Sequence, residues 1–228
     1  MKKTIFFSKT IITFVCILMM SACGLFFNPS TYVKAALDAL YKGELEQYSN
    51  VTSTPISQAQ SQYEAGYKSQ ADVLATVYGF TDKNGIINMS DQIRAQVEDL
   101  CKELYGQIEY KINEKYEKTK SEYKVEVKVT PITTLKDNMM AINEFVENYN
   151  ANIIAGKYND EIVYSQDMID LEYEQGILDI LKNVINNPTY GQPQTIFVRV
   201  MCDVDRNSYY INTDDLIAMN KAIIKYPS

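Results

Sequence analysis

The chain carries two hydrophobic periods, one typical of helices and the other typical of strands. Between residues 31 and 105, apolar side chains recur every three or four positions, as they do on the buried face of a helix. This spacing predicts three helices in the first half. They are placed at about 31–48, at about 57–78, and at about 90–105 with Ser90 as the N-cap.

After Gly106 the period changes to two. Tyrosine, valine and isoleucine alternate with mostly charged side chains along residues 108–116 and 123–129. Alternation of this kind is typical of a strand with one buried and one solvent-facing side. The two runs therefore predict an antiparallel hairpin, which Pro131 ends.

The second half of the chain has the same order of patterns. Two further helices are predicted at about 137–155 and 161–186. A second hairpin follows, with strands at 196–204 and 209–211. Thr213 is predicted to cap a final helix.

This order of elements predicts an α+β fold. Each half reads as helices followed by an antiparallel β-hairpin, which indicates two pseudo-repeats of one unit. The first α+β repeat is placed at residues 31–132 and the second at 133–228. Helices that must bury one face are expected to pack on a small antiparallel sheet, or on two such sheets.

A few residues recur between the halves and have both a functional and a structural interpretation. At an offset of about 110 positions, Tyr63 and Gly66 match Tyr173 and Gly176, and a glutamate follows each tyrosine. The twin carboxylates suggest a chemical role. However, glycine costs about 1 kcal/mol relative to alanine inside a helix, which favours a packing role. We expect each glycine to allow another backbone to cross closely, with the tyrosine sealing that crossing.

The first 22 residues have the three parts of an export signal. They contain a lysine-rich start, an apolar run over residues 11–20 and two small residues directly before Cys23. The apolar run is too short to cross a bilayer as a helix, which takes roughly 20 residues. Residues 1–22 are therefore predicted to be a lipoprotein signal peptide, and residues 23–30 a short lipidated tether. An uncleaved anchor, or secretion with Cys23 as an ordinary thiol, is the alternative.

The cysteine after two small residues resembles the attachment site of bacterial lipoproteins. This resemblance implies a diacylglycerol on Cys23, which would hold the protein on the extracytoplasmic face of the cell membrane. Four stretches carry a second resemblance: residues 32–34, 41–43, 63–66 and 103–105. They are similar to uncharacterised surface lipoproteins of Gram-positive, clostridial-type bacteria with a duplicated domain of unknown function. That likeness implies a surface lipoprotein and no catalytic residue.

The composition excludes several classes of function. Hydrophobic residues make up 46% of the chain, which is enough for a buried core. Loss of the three lysines of the leader takes the net charge from −7 to −10. Such acidity argues against a nucleic acid partner and against electrostatic docking on anionic lipids. The chain has no histidine, which excludes Ser-His-Asp and Cys-His catalysis and histidine-based zinc sites.

Two cysteines remain after Cys16 leaves with the leader and Cys23 takes the lipid. Cys101 and Cys202 each fall on the apolar face of their own predicted element. Buried thiols are common, so we expect two packed thiols. A disulfide, which an exported protein permits, is the alternative.

One group of residues is a weak candidate for a metal site. Asp203, Asp205 and Asn207 are spaced by two, and Asp214 stands at the twelfth position counted from Asp203, as in a calcium-binding loop. Such a loop also needs glycine at its sixth position, where this chain has Ser208. A tight turn accounts for these residues equally well, so no metal is expected.

The leading functional hypothesis is a non-catalytic, lipid-anchored surface module that binds a partner and needs no cofactor. One alternative is a solute- or metal-binding lipoprotein with a cleft between the repeats. Another is a hydrolase built on carboxylates and tyrosines. An open polar cleft would favour a small ligand, and a flat aromatic patch would favour a protein partner.

Overall fold

The computed structural model describes most of the chain. It describes residues 27–82, 84–159, 164–203 and 208–227 in full. For residues 19–21 it describes the backbone alone. Eight α-helices lie among them: α1 (Pro29–Leu37), α2 (Leu45–Thr52), α3 (Ile56–Val77), α4 (Asp91–Gly106), α5 (Thr134–Asp137), α6 (Met139–Ile154), α7 (Gln166–Ile185) and α8 (Thr213–Ile223). The described strands are β1 (Met19–Ser21), β2 (Glu109–Lys118), β3 (Glu122–Thr130), β4 (Gln194–Asp203) and β5 (Ser208–Ile211).

The fold is α+β, as predicted, and its strands form one antiparallel sheet. The order across the sheet is β1, β5, β4, β3, β2. The two hairpins, β2–β3 and β4–β5, are joined by the pairing of β3 with β4, in which Val125 lies opposite Val198. The short strand β1 runs along the outer edge of β5. The two halves of the chain therefore share a single sheet.

The alternating valines of the hairpins form the inner face of this sheet. The buried members are Val125, Val127 and Val129 of β3 and Val198 and Val200 of β4. Helices α1 and α8 pack on this face, while α4 packs on α3 and on α7. Each fully buried large aliphatic side chain stabilises the fold by roughly 1.5 to 3 kcal/mol relative to an exposed one. The predicted buried face is confirmed for the valines of β3, whereas on β2 Tyr110 and Ile112 are half-buried and Tyr116 is 40% exposed.

The helix predicted at 31–48 is interrupted. Helix α1 ends at Leu37, and Asp38–Lys42 forms a single π-helical turn. Gly43 follows with a φ of 69°, a left-handed backbone conformation that residues with a Cβ atom rarely adopt. Helix α2 begins at Leu45. One apolar period therefore runs across α1, the π-helical turn and α2, and the left-handed glycine ends the π-helical turn before α2 begins.

The two helices predicted next in the second half are present as α6 and α7. The helix predicted at 137–155 corresponds to α6, and the short helix α5, which Asn138 separates from it, was not predicted. The side-chain amide of Asn138 donates to the carbonyl oxygen of Thr134 at 2.9 Å and ends α5. The run at 161–186 corresponds to α7, and residues 160–163 lie outside the described part of the chain.

The helix caps were predicted correctly in one of two cases. The hydroxyl of Ser90 accepts a hydrogen bond from the backbone N–H of Ile93 and caps α4, as predicted. For α8 the prediction is wrong by one residue, because Thr213 is already helical. Asn212 is the cap, since its side-chain oxygen accepts from the backbone N–H of Asp215 at 3.3 Å.

The internal repeat stays a prediction. Tyr63 and Gly66 lie in α3, and Tyr173 and Gly176 lie in α7, at the offset of about 110 residues. Strand β4, in contrast, begins only 85 residues after β2. A single offset therefore does not relate both the helices and the hairpins of the two halves, and the boundary at residue 132 stays a prediction as well.

The neighbour of Gly176 is not the crossing backbone that we predicted. A Cβ atom on Gly176 would lie 2.2 Å from the ring of Phe145 in α6. The glycine therefore makes room for an aromatic ring. Tyr173, one turn earlier, is fully buried and donates its hydroxyl to the carbonyl oxygen of Tyr78 at 2.9 Å. The packing role is correct for α7, but its partner is a side chain.

A buried carboxylate ties the π-helical turn to the sheet. Asp38 is 1% exposed, accepts a hydrogen bond from the hydroxyl of Tyr110 in β2 (2.6 Å), and forms ion pairs with Lys34 and Lys42. Burial alone would raise the pKa of this carboxyl. The three donors outweigh that effect and hold the pKa of Asp38 below its ordinary value. Asp38 is therefore charged at neutral pH.

We expect Asp38→Asn to lower the free energy of unfolding by about 2 kcal/mol at pH 7, because an amide cannot replace an ionised acceptor of three donors. Urea unfolding measures this loss. The folded-state pKa lies below the ordinary value of 3.8, so the stabilisation is present above that value and is lost as pH falls through the folded-state pKa. The deficit of the variant should therefore shrink in acid.

The matched control is Asp99→Asn in α4. The carboxylate of Asp99 is 75% exposed in its ion pair with Lys102. Exposed pairs contribute little, so this variant should lose less than about 0.5 kcal/mol. Equal losses for the two variants would contradict the role assigned to Asp38.

Gly176→Ala should lower the free energy of unfolding by about 1 to 3 kcal/mol, because the ring of Phe145 must move to admit the new methyl group. Helix propensity alone predicts the opposite, a rise in the free energy of unfolding, because it favours alanine over glycine by about 1 kcal/mol. Gly106→Ala in α4 is the control, since no atom lies within 4 Å of a Cβ built there. If thermal unfolding gives both variants a higher Tm than the parent, the packing role of Gly176 is wrong.

Candidate functional site

A groove opens between the loop that follows α3 and the helices α6 and α7. Its volume is about 390 Å³, within the range of small-molecule sites. We call it the acidic groove. Its carboxylate and amide side chains are Asp82, Asn88, Asn159, Gln166, Asp167 and Asp170. Because the loop lies in the first predicted repeat and the helices in the second, the groove lies between the two halves.

The loop side of the groove is fixed by an Asx turn. The carboxylate of Asp82 accepts hydrogen bonds from the backbone N–H groups of Asn84 (2.8 Å) and Ile86 (3.0 Å). The backbone N–H of Asn88 donates to the carbonyl oxygen of Phe80, which is fully buried. The loop therefore presents Asp82 and Asn88 on a hydrogen-bonded backbone.

Two tyrosine rings form part of the opposite wall. The hydroxyl of Tyr149 donates to the carbonyl oxygen of Ile169 at 2.7 Å, and that of Tyr158 donates to Glu172 at 2.9 Å. Their ring centroids are 5.9 Å apart. Burial, together with neighbouring negative charge, raises the pKa of Tyr149 and keeps its hydroxyl protonated. These rings supply rigid apolar surface, and their hydroxyls are committed to the fold.

The described lining of the groove is acidic, although the ammonium of Lys157 lies 4.9 Å from the ring centre of Tyr158. Three carboxylates line it, and among the described lining residues none is basic. Asp167 is exposed in the first turn of α7, while Asp170 accepts a hydrogen bond from Gln166 at 3.2 Å. Carboxylates and amide oxygens accept hydrogen bonds, and the carboxylates attract positive charge. The arrangement therefore suits a small cationic ligand.

A second crevice, between α3, α4 and α8, is too small for such a ligand. Tyrosines 41, 63, 67 and 105 line it together with Gly66. It leaves about 20 Å³, the room that one water molecule needs. The ring of Tyr63 lies 3.0 Å from a Cβ built on Gly43, so this side chain fills space beside the π-helical turn. Tyr63 is thus a packing residue of the helical layer, and Gly66 lines the same crevice.

The metal candidate is only partly within the described structure. Asp205 and Asn207 lie outside the described residues. Asp203 ends β4 and Asp214 stands in the first turn of α8. Among the residues that the structure describes, no group of acidic or cysteine side chains has the arrangement of a metal site.

The cysteines and the N-terminal segment complete the predicted sites. Cys23 lies outside the described residues. Cys101 is buried, Cys202 is partly buried, and no disulfide joins them. Burial raises the pKa of the Cys101 thiol to about 12, so it remains a protonated packing group. Within the described ranges, no helix has both the length and the apolar character that a membrane span requires.

Sequence reasoning did not identify the acidic groove. Its residues come from three separate segments, and only the fold brings them together. The residues at 81–88 read as loop chemistry, and those at 158–170 read as a helix start. The single available signal was a local run rich in aspartate, asparagine, glutamine and tyrosine at 158–170.

Comparisons with known proteins bear on the fold. No protein-family model and no curated protein matches the sequence. The chain is similar to the crystal structure of YcdA, described as a candidate lipoprotein, from Bacillus subtilis subsp. subtilis str. 168. The TM-score is 0.55 and the sequence identity is 13%, over 87% of this chain and 56% of that protein. This chain thus spans little more than half the length of YcdA, and the likeness establishes the fold alone.

Proposed function

We propose that the chain is a lipid-anchored extracytoplasmic protein that binds a small cationic organic solute in the acidic groove, without catalysing a reaction. The observation that carries the proposal is the groove itself, in which three carboxylates meet two tyrosine rings and no basic lining residue is described. The class of ligand is an amine, such as a polyamine or an amino sugar.

The lipid anchor rests on the N-terminal pattern. An apolar run and two small residues precede Cys23, which is the order that lipid attachment requires. The similar Bacillus subtilis protein is also described as a candidate lipoprotein, which supports the same location for this chain. Two acyl chains would hold the protein on the membrane.

Binding accounts for the groove better than catalysis does. The chain contains no histidine, so the commonest general base is missing. The carboxylate of Asp82 is engaged by its own turn, and the hydroxyls of Tyr149 and Tyr158 are engaged by α7. These contacts hold the lining in place and leave Asp167 as an acceptor for a ligand.

The lipid anchor predicts whether the full chain and its variants are found in the membrane fraction or in the soluble fraction. The parent should sediment with membranes, and mass spectrometry should find a diacylglycerol on Cys23 of the processed protein. Cys23→Ser should move the protein into the soluble extracellular fraction, because the thiol that carries the lipid is gone. Cys101→Ser is the control and should stay with membranes. An unmodified Cys23 in membrane-bound protein would contradict the anchor.

The groove predicts which solutes stabilise the protein. At a concentration of 100 times Kd, a ligand adds about 2.7 kcal/mol, which raises Tm by roughly 5 to 10 °C in a chain of this size. Spermidine or glucosamine should produce such a shift in a thermal-shift assay. Glucose, which lacks the ammonium group, should not.

Variants locate the solute on the acidic groove. Asp167→Asn should reduce the shift that the amine produces, whereas Asp99→Asn, on the exposed face of α4, should leave it unchanged. A shift with calcium alone would instead favour the loop at Asp203 to Asp214. Equal shifts with glucose and glucosamine would count against a cationic ligand.

A further inference from the structure

Phe27, which lies within the predicted tether at residues 23–30, is held at one end of the sheet. The ring of Phe27 stacks on Tyr209 with centroids 3.9 Å apart and an interplanar angle of 5°. It also meets the ring of Tyr123 edge-on at 5.6 Å. Tyr123 stands at the start of β3 and Tyr209 at the start of β5. We call this the anchor end, where β2 and β4 finish and β3 and β5 begin.

The residues before the predicted cleavage site reach the same end. In the unprocessed chain, Ser21 lies opposite Ser208, the first residue of β5. Cys23 is therefore flanked by two residues, Ser21 and Phe27, that both lie at the anchor end. Strand β1 belongs to the predicted leader, so in the processed protein Phe27 is the residue that ties the segment after Cys23 to the anchor end.

The length of the tether limits how far the anchor end can move from the bilayer. Four residue steps separate Cys23 from Phe27, and an extended chain spans at most about 3.6 Å per residue, which gives about 14 Å. The headgroup layer of a bilayer is itself roughly 5 to 8 Å thick on each side. A lipid on Cys23 would therefore keep the anchor end at the headgroups.

The hairpin turn at the anchor end has the residue types that suit a membrane interface. Tyr116 is 40% exposed and packs edge-on against Tyr123 at 5.6 Å. The ammonium of Lys118 lies 5.3 Å from the ring centre of Tyr123, and Lys120 is exposed in the turn. Tyrosine and lysine combine an apolar body with a polar tip, and both are typical of the boundary between lipid and water.

Residues 114–124 carry four lysines and three glutamates, a net charge of +1, whereas the whole chain has a net charge of −7. Lys115, Lys118 and Lys120 are exposed there. Glu117, on the same strand, forms an ion pair with Lys124 at 3.7 Å, which offsets part of its charge. A chain of net negative charge thus presents several ammonium groups near its tether, where anionic headgroups lie.

We propose that the anchor end, with the turn between β2 and β3, rests on the phospholipid headgroups of the membrane that holds Cys23. This inference depends on the lipid anchor proposed above. The other end of the sheet, where β4 begins at Gln194, lies roughly 30 Å away, the length of a ten-residue strand, and points away from the bilayer.

Fluorescence quenching on the full lipidated chain tests this orientation. Lys120→Cys places a thiol-reactive dye in the turn, and Gln192→Cys places the same dye at the opposite end of the sheet. Each protein is reconstituted into phosphatidylglycerol vesicles that contain a lipid with a nitroxide on its headgroup. The parent chain, treated with the same dye, measures the background emission from dye on its native thiols, Cys101 and Cys202.

We expect the dye at Lys120→Cys to lose about half or more of its emission, because it lies within the headgroup layer, and the dye at Gln192→Cys to lose little. Equal quenching of both dyes in protein that floats with the vesicles overturns the orientation and leaves the anchor intact. Protein that does not float with the vesicles overturns the anchor, and the orientation with it. Cys23→Ser combined with Lys120→Cys should show no quenching.

Discussion

The pairing of β3 with β4 is the contact on which the rest of the fold depends. Residues 122–129 face 194–201 in eight consecutive pairs and join the two hairpins. A two-stranded hairpin alone is marginally stable in water, whereas the joined sheet has an apolar face that α1 and α8 can cover. The segment after β3 is also joined to the end of α8, because the backbone N–H of Ile132 donates to the carbonyl oxygen of Ile223 at 2.8 Å.

Much of this architecture could be predicted from the sequence, because local periods determine it. The alternating valines predicted both hairpins, and the helical spacing predicted α3 and α4 closely. The pattern could not predict the π-helical turn, since the apolar period continues across Gly43 into α2. It also could not identify the neighbour of Gly176, because Phe145 reaches that position from another helix. Errors thus arose where a contact between distant segments decides the local structure.

The acidic groove illustrates the same limit for function. Its carboxylates are distant in sequence, and Asp82 was read only as part of a turn. That reading is correct for its backbone contacts, yet the turn is also what presents Asp82 to the groove. A residue with a satisfied structural role can therefore still shape a binding surface. The sequence predicted the possibility of a cleft between the halves, but the residues that line it follow from how α6 and α7 pack.

A short tether on an acidic protein raises an electrostatic difficulty. With the predicted leader removed, the net charge would be −10, which would repel an anionic leaflet. Screening limits this repulsion to about 10 Å, so only the charges nearest the bilayer matter. The exposed lysines of the β2–β3 turn lie at the end closest to the tether. Two of the three groove carboxylates belong to α7, which packs on α4, α5 and α6. The groove carboxylates thus belong to α7 and to the loop after α3, and none of them belongs to the turn that carries these lysines.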